Sequence, residues 1–120
     1  GGDNRFYNNL LRNSAGALSL YNTRKFPSHW RGNVDLPDSA PRILEDDGKV
    51  TLQLVLPTTT AGVRVTTELL GKTQVAELGY ENPDGSPLAI DTDYFNKPRP
   101  TAIPGPFATA AAGELSLKVW

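Results

Sequence analysis

The chain has no cysteine and no methionine, and its only histidine is His29. Without cysteine it holds no disulfide and no thiolate metal site. One histidine is too few for an ordinary zinc centre, which takes three or more His, Cys or carboxylate ligands. No apolar run approaches the roughly 20 residues needed to cross a bilayer, which argues against a membrane partner. The charges nearly balance at a formal net of -1. Nothing there steers the chain toward nucleic acid, which usually asks for a basic face, and no run of like charges suggests an interaction tail. Neither G-x-x-x-x-G-K-S/T nor G-x-G-x-x-G occurs, so no phosphate loop is present. Ser28 and His29 are neighbours, but no nucleophile-elbow sequence accompanies them, and adjacent strand residues point apart.

What is present is the punctuation of an all-β protein. The 120 residues include 11 Gly and 10 Pro, placed between short apolar runs. Long helical periodicity is missing, and the Ala-rich stretch 108–112 is too short for a stable helix. The clearest strand spans Lys49 to Leu56, where Val50, Leu52, Leu54 and Leu56 recur with a period of two. Asp46-Asp47-Gly48 is a turn before it, and Pro57 ends it. Further strands are expected at Val63 to Leu69 and Leu115 to Trp120, with weaker ones at Gln74 to Leu78 and Leu88 to Phe95. Asn82-Pro83-Asp84-Gly85 reads as a turn, and Trp120 as an anchor for the last strand.

The first third is different. Arg5 to Leu11, Ala17 to Tyr21 and Asn33 to Leu36 are short apolar segments divided by Asn, Ser and Gly. Asn8-Asn9 lies in a strand-like run, where Asn is normally depleted. Stacked asparagines are tolerated where strands pile in register, because each amide can bond to the next. The expected fold is therefore all-β: short parallel β-helix rungs over residues 1–40, then a small antiparallel β-sandwich over 41–120, with the boundary in the polar stretch Pro37 to Gly48.

These residues resemble a known family. "DNRFYNNLL", "GALSLYN" and "GNVDL" resemble the last turns of right-handed parallel β-helix glycoside hydrolases, β-xylosidase-like enzymes among them. "VTTELLGK", "YENPDGSPLAIDTDYFNKPRP", "GPF" and "LSLKVW" resemble the C-terminal region that follows those turns. The family's catalytic carboxylates lie upstream of this region, and no position here matches them. The resemblance thus implies a secreted or periplasmic bacterial setting and a non-catalytic accessory part of a polysaccharide-degrading enzyme, partnered by an upstream β-helix catalytic domain. The opening Gly1-Gly2-Asp3, without Met, reads as a piece of something longer. An exposed rung face would then need a cap or a second copy in a homodimer.

Two functions follow as expectations. One is carbohydrate binding to a xylan-like polysaccharide or oligosaccharide, through aromatic rings that stack on sugar faces and polar neighbours that bond hydroxyls. Trp30 leads that set, with Tyr21, His29 and Arg31 beside it and Tyr80 and Tyr94 flanking the 82–85 turn. The packing alternative for each aromatic is a place in the core or at the junction. The other function is a purely structural cap that binds no sugar. Asp91 and Asp93 would fall on one side of a strand, roughly 7 Å apart, a spacing compatible with inverting hydrolysis. Any D-x-D in a strand gives the same spacing, so a solvated or turn-bonded pair is the plainer reading. Calcium on Asp91 and Asp93 needs six to eight oxygens; no other cofactor is expected.

Overall fold

The structure is a computed structural model describing residues 2–11, 25–36, 41–56, 61–108 and 112–120. Strand is the dominant regular structure, and one four-residue helix occurs among the described residues. All-β is the fold class.

Four short strands open the chain: β1 (Arg5–Tyr7), β2 (Leu10–Leu11), β3 (His29–Arg31) and β4 (Val34–Asp35). They pair in parallel, β1 with β3 and β2 with β4. Arg5 faces His29, Phe6 faces Trp30, and Leu10 faces Val34. Every one of these pairs keeps the 24-residue interval that also separates the bonded side chains of Asn9 and Asn33. The corner between strands repeats as well. Asn8 has φ 56° and Gly32 has φ 64°, the left-handed conformation that Asn and Gly tolerate best. Beside that corner, Asn33 Oδ1 accepts from the Asn9 backbone N–H at 2.9 Å and from Asn9 Nδ2 at 2.8 Å. Asn33 Nδ2 donates to the Phe6 carbonyl at 2.8 Å. Stacked asparagines are thus present. In place of full rungs, however, the described residues form two parallel pairs of three and two residues.

A three-stranded antiparallel sheet follows, in the order β5 (Arg42–Asp46), β6 (Lys49–Leu56), β7 (Gly113–Lys118). Strand β6 has the bounds that its alternation predicts. Asp46 pairs with Lys49 across Asp47 (φ 45°) and Gly48 (φ 69°). Two successive positive φ values make the tight turn that matches strand twist. Leu52, Leu54 and Leu56 share the inner face with Leu115 of β7. Leu54, Leu56 and Leu36 form the buried cluster, with Leu10, Val34, Leu52 and Leu115 packed against it. Each fully buried leucine contributes about 1.5–3 kcal/mol. The core thus joins the first strands to the antiparallel sheet.

Two expectations need correction. Among the described residues the antiparallel part is one sheet, not a sandwich of two: its inner face is covered by β2 and β4 instead of by a second antiparallel sheet. The 63–69 stretch is not a strand. Thr66 makes one bridge to Ala89, and α1 (Thr67–Leu70) follows. Thr66 Oγ1 accepts from Leu69 N–H at 3.2 Å, and Gly71 (φ 68°) closes the turn. An N-capping threonine and a C-terminal glycine outweigh the period-two pattern here.

Residues 72–98 form three consecutive tight hairpins, not the strands expected at 74–78 and 88–95. Single bridges join Lys72 to Gly79, Glu81 to Pro87 and Thr92 to Pro98. Each hairpin carries one positive-φ residue, Glu77, Gly85 or Asn96. Each also opens on a side chain that bonds within the loop. Thr73 Oγ1 bonds the Leu78 peptide. Asn82 Nδ2 donates to Ser86 Oγ at 3.0 Å and to the Pro87 carbonyl at 3.1 Å. Asp93 Oδ1 accepts from Phe95 and Lys97 N–H, both at 2.8 Å. The expected turn at 82–85 is present, closed by Gly85 N–H on the Asn82 carbonyl at 2.9 Å.

Candidate functional site

Side chains alternate along a strand, and residues paired across two strands share a face. In β1 and β3 this puts Phe6 and Trp30 on one face and Arg5, Tyr7, His29 and Arg31 on the other. Trp30 is 36% exposed. His29 and Arg31 are exposed too, but the strand directs them away from the Trp30 face. Residues 29–31 form strand β3, and that strand separates the indole from the two polar companions adjacent to it. Tyr21 lies outside the described residues.

On the His29 face stands a group the sequence reading missed. The Arg5 guanidinium donates from Nε to the Leu70 carbonyl at 2.8 Å and from Nη2 to the Lys72 carbonyl at 2.7 Å. Its Nη1 reaches the Asp3 carbonyl and carboxylate. The guanidinium also covers the Tyr80 ring at 5.0 Å from the centroid. Tyr80 is therefore a packing partner for Arg5, in a cation–π contact of about 0.5–2 kcal/mol. The backbone N–H of Gln74 on Asp3 Oδ2 does most to hold the Asp3 carboxyl below its usual value. Burial works against it, while bonding to Arg5 and the charges of Arg5 and His29 add to it. The signal in the sequence was a lone Arg inside the apolar run Arg5-Phe6-Tyr7.

Tyr94 sits elsewhere, in the third hairpin. Its ring meets Phe95 edge-on at 5.1 Å and Phe107 at 6.3 Å. Its N–H donates to the Pro106 carbonyl at 2.7 Å, and its hydroxyl lies 3.4 Å from the Val119 carbonyl. Tyr94 is 57% exposed, whereas Phe107 beneath it is buried. Trp120, expected as an anchor, is 78% exposed. Its backbone is the anchored part, because its N–H and carbonyl both bond to Val50.

A spacing of roughly 7 Å between Asp91 and Asp93 requires an extended strand, and residues 91–99 form a hairpin instead. Asp93 opens that turn, with Oδ1 on two N–H groups and Oδ2 on Ala108 N–H at 3.1 Å. Burial raises the Asp93 pKa. The N–H groups of Lys97, Ala108 and Phe95, with the Lys97 charge, outweigh it and leave the carboxyl below its usual value. Asp91 takes part through its carbonyl, which accepts from Arg99 N–H at 2.7 Å. Both Asp93 oxygens therefore already accept from N–H donors, which present the same partial positive charge as a cation. Among the described residues no group of three or more His, Cys, Asp or Glu gathers.

The fold has a solved counterpart. The chain superposes over its whole length on XylC, in its complex with xylose, with a TM-score of 0.79. Sequence identity is 24%, and the chain spans 26% of the XylC chain. At that identity the likeness is one of fold. No protein-family model matches the sequence, and no curated protein does.

Proposed function

We propose that this chain is a non-catalytic accessory module of a polysaccharide-degrading glycoside hydrolase, one associated with xylan-like polysaccharide. The observation that carries this is its whole-length superposition on about a quarter of XylC, a protein solved with xylose bound. In this reading β1–β4 belong to turns of a parallel β-helix. The fixed 24-residue interval supports that, as does the asparagine stack beside the corner. Parallel sheets of two strands rarely stand alone, so further turns would complete them. Residues 41–120 then close over the turns, with Leu54 and Leu56 packed on Leu36. The module's contribution is structural.

A second reading, sugar contact at Trp30, has the partial exposure of that side chain in its favour. The two separate in soluble xylan. Under the structural reading, Trp30→Ala migrates as the parent does in affinity electrophoresis, and loss of retardation in that variant alone would favour Trp30. The non-catalytic part is tested by incubating the purified chain with aryl xylosides and xylan. No sugar should be released. Turnover that disappears in Asp91→Asn would overturn it.

A further inference from the structure

Strand β5 lies at the edge of its sheet, in the order β5-β6-β7, and all five of its residues are exposed. An open edge presents unpaired N–H and C=O groups to any extended chain. Which groups are open follows from β6. The Val50 N–H donates to the Trp120 carbonyl at 3.0 Å, and the Val50 carbonyl accepts from Val119 N–H at 2.8 Å. Val50 thus turns both peptide groups away from β5. Glu45, which it faces across the pair, is left with its own N–H and C=O directed at the free edge. Alternation along an antiparallel pair gives Ile43 the same direction. The pairing of β5 with β6 runs unbroken from Arg42 to Asp46, and none of these residues has positive φ, so no bulge turns the edge away. Ile43 is 74% exposed and Leu44 47%.

We infer that this edge pairs with the same edge of a second copy, β5 antiparallel to β5 about a two-fold axis through Leu44, so that two sheets become one. The order of residues commits the edge to its own copy. Reversed against itself, Arg42-Ile43-Leu44-Glu45-Asp46 sets Arg42 opposite the partner's Asp46 at both ends of the contact, with Leu44 on the partner's Leu44 between them. Those pairs share one face, because positions two apart in a strand do. Opposite charges across two strands attract, and like charges repel. Among the described residues neither Arg42 nor Asp46 has an ion-pair partner in its own chain, so both charges are available. Ile43 meets the partner's Glu45. These are the residues whose peptide groups point outward, so the two exchange N–H to C=O bonds directly. A parallel pairing in register would instead lay Arg42 on Arg42 and Asp46 on Asp46. An isologous two-fold contact closes on two copies and leaves no β5 edge exposed. The contact uses none of the parallel strands β1–β4 and does not depend on sugar binding.

The test is sedimentation velocity of the whole chain over about a hundredfold range of concentration, since a small interface dissociates on dilution. The parent should pass from monomer to dimer. Arg42→Asp and Asp46→Arg each place like charges at both ends of the contact, and each should weaken dimerisation roughly tenfold or more. The two combined restore opposite charges and should return dimerisation to near the parental affinity. Both positions are exposed, so every variant should keep the parental far-UV spectrum. Amide hydrogen exchange needs no variant. The Ile43 and Glu45 N–H groups should become protected as concentration rises, while that of Val50, already bonded, should not change. A parent that stays monomeric over the whole range overturns the inference. So does a dimer whose single charge variants match the parent, whose combined variant is as weak as the single ones, or whose Ile43 and Glu45 amides exchange independently of concentration. Another face would then hold the copies together.

Discussion

Asn8 offers the sharpest test of how the first strands are tied to the rest of the chain. Its amide pairs with a single peptide group on each side of Val63: Oδ1 accepts from Val63 N–H at 2.8 Å, and Nδ2 donates to the Val63 carbonyl at 2.7 Å. Its own carbonyl accepts from Gly105 N–H. It does this at φ 56°. Asn8→Gly removes the two side-chain bonds and keeps an easy left-handed residue. At about 1 kcal/mol per hydrogen bond, the loss is roughly 2 kcal/mol. Asn8→Ala loses the same bonds and adds the left-handed cost of about 1 kcal/mol, for roughly 3 kcal/mol in all. Urea unfolding followed by tryptophan fluorescence reads both. With a slope of about 1–3 kcal/mol per molar, the midpoint of Asn8→Ala should fall by about 1 M or more. Asn8→Gly should lie between Asn8→Ala and the parent. If both variants unfold within about 0.5 kcal/mol of the parent, the Asn8–Val63 pair does not join these segments and the reasoning is wrong.

Two further outcomes are expected. Gly32 and Gly48 both have positive φ, but a Cβ on Gly32 would clash with Asn8 Oδ1 whereas one on Gly48 meets nothing within 4 Å. Gly48→Ala should therefore cost about 1 kcal/mol from backbone strain alone, and Gly32→Ala clearly more, in paired urea titrations. The Asp93 carboxyl titrates below its ordinary value of 3.8, so it binds its proton more readily in the unfolded chain than in the folded one. Its stabilising effect is complete above that value and fades as pH falls through the lower folded-state pKa. Asp93→Asn should unfold more easily at neutral pH and lose less stability on acidification below about pH 4; parallel acid-dependence curves for the two proteins would count against this.

The parts of the fold legible in the sequence were those governed by local rules. Strand β6 was readable because its alternation is uninterrupted and a left-handed Asp47-Gly48 pair sets its start. The asparagine stack was readable because Asn has little other reason to sit among strand residues. The misreadings come from competition between patterns. Residues 63–69 alternate like a strand, yet Thr66 caps a helical turn. Leu88 to Phe95 carries apolar residues, yet Asp93 draws three N–H groups into a turn. The 24-residue interval was hidden because its equivalent positions share shape more than identity: Phe6 with Trp30, Asn8 with Gly32, Leu10 with Val34. For the candidate site, Trp30 and Tyr94 were visible as aromatics. Their companions were not, because which side chains share a face depends on strand direction. The sequence reading grouped His29 with Trp30, and β3 puts them on opposite sides.

The pairing of β6 with β7 has a kinetic consequence. Thr51 meets Lys118 and Leu56 meets Gly113, so the central strand waits for a partner about half the chain away. Such contacts carry a high loop-closure entropy and form late. Until β7 leaves the ribosome, β6 has one edge open to any other extended chain nearby. Synthesis therefore includes an interval in which β6 is made but unpaired along one edge, and yield should depend on how quickly β7 follows it.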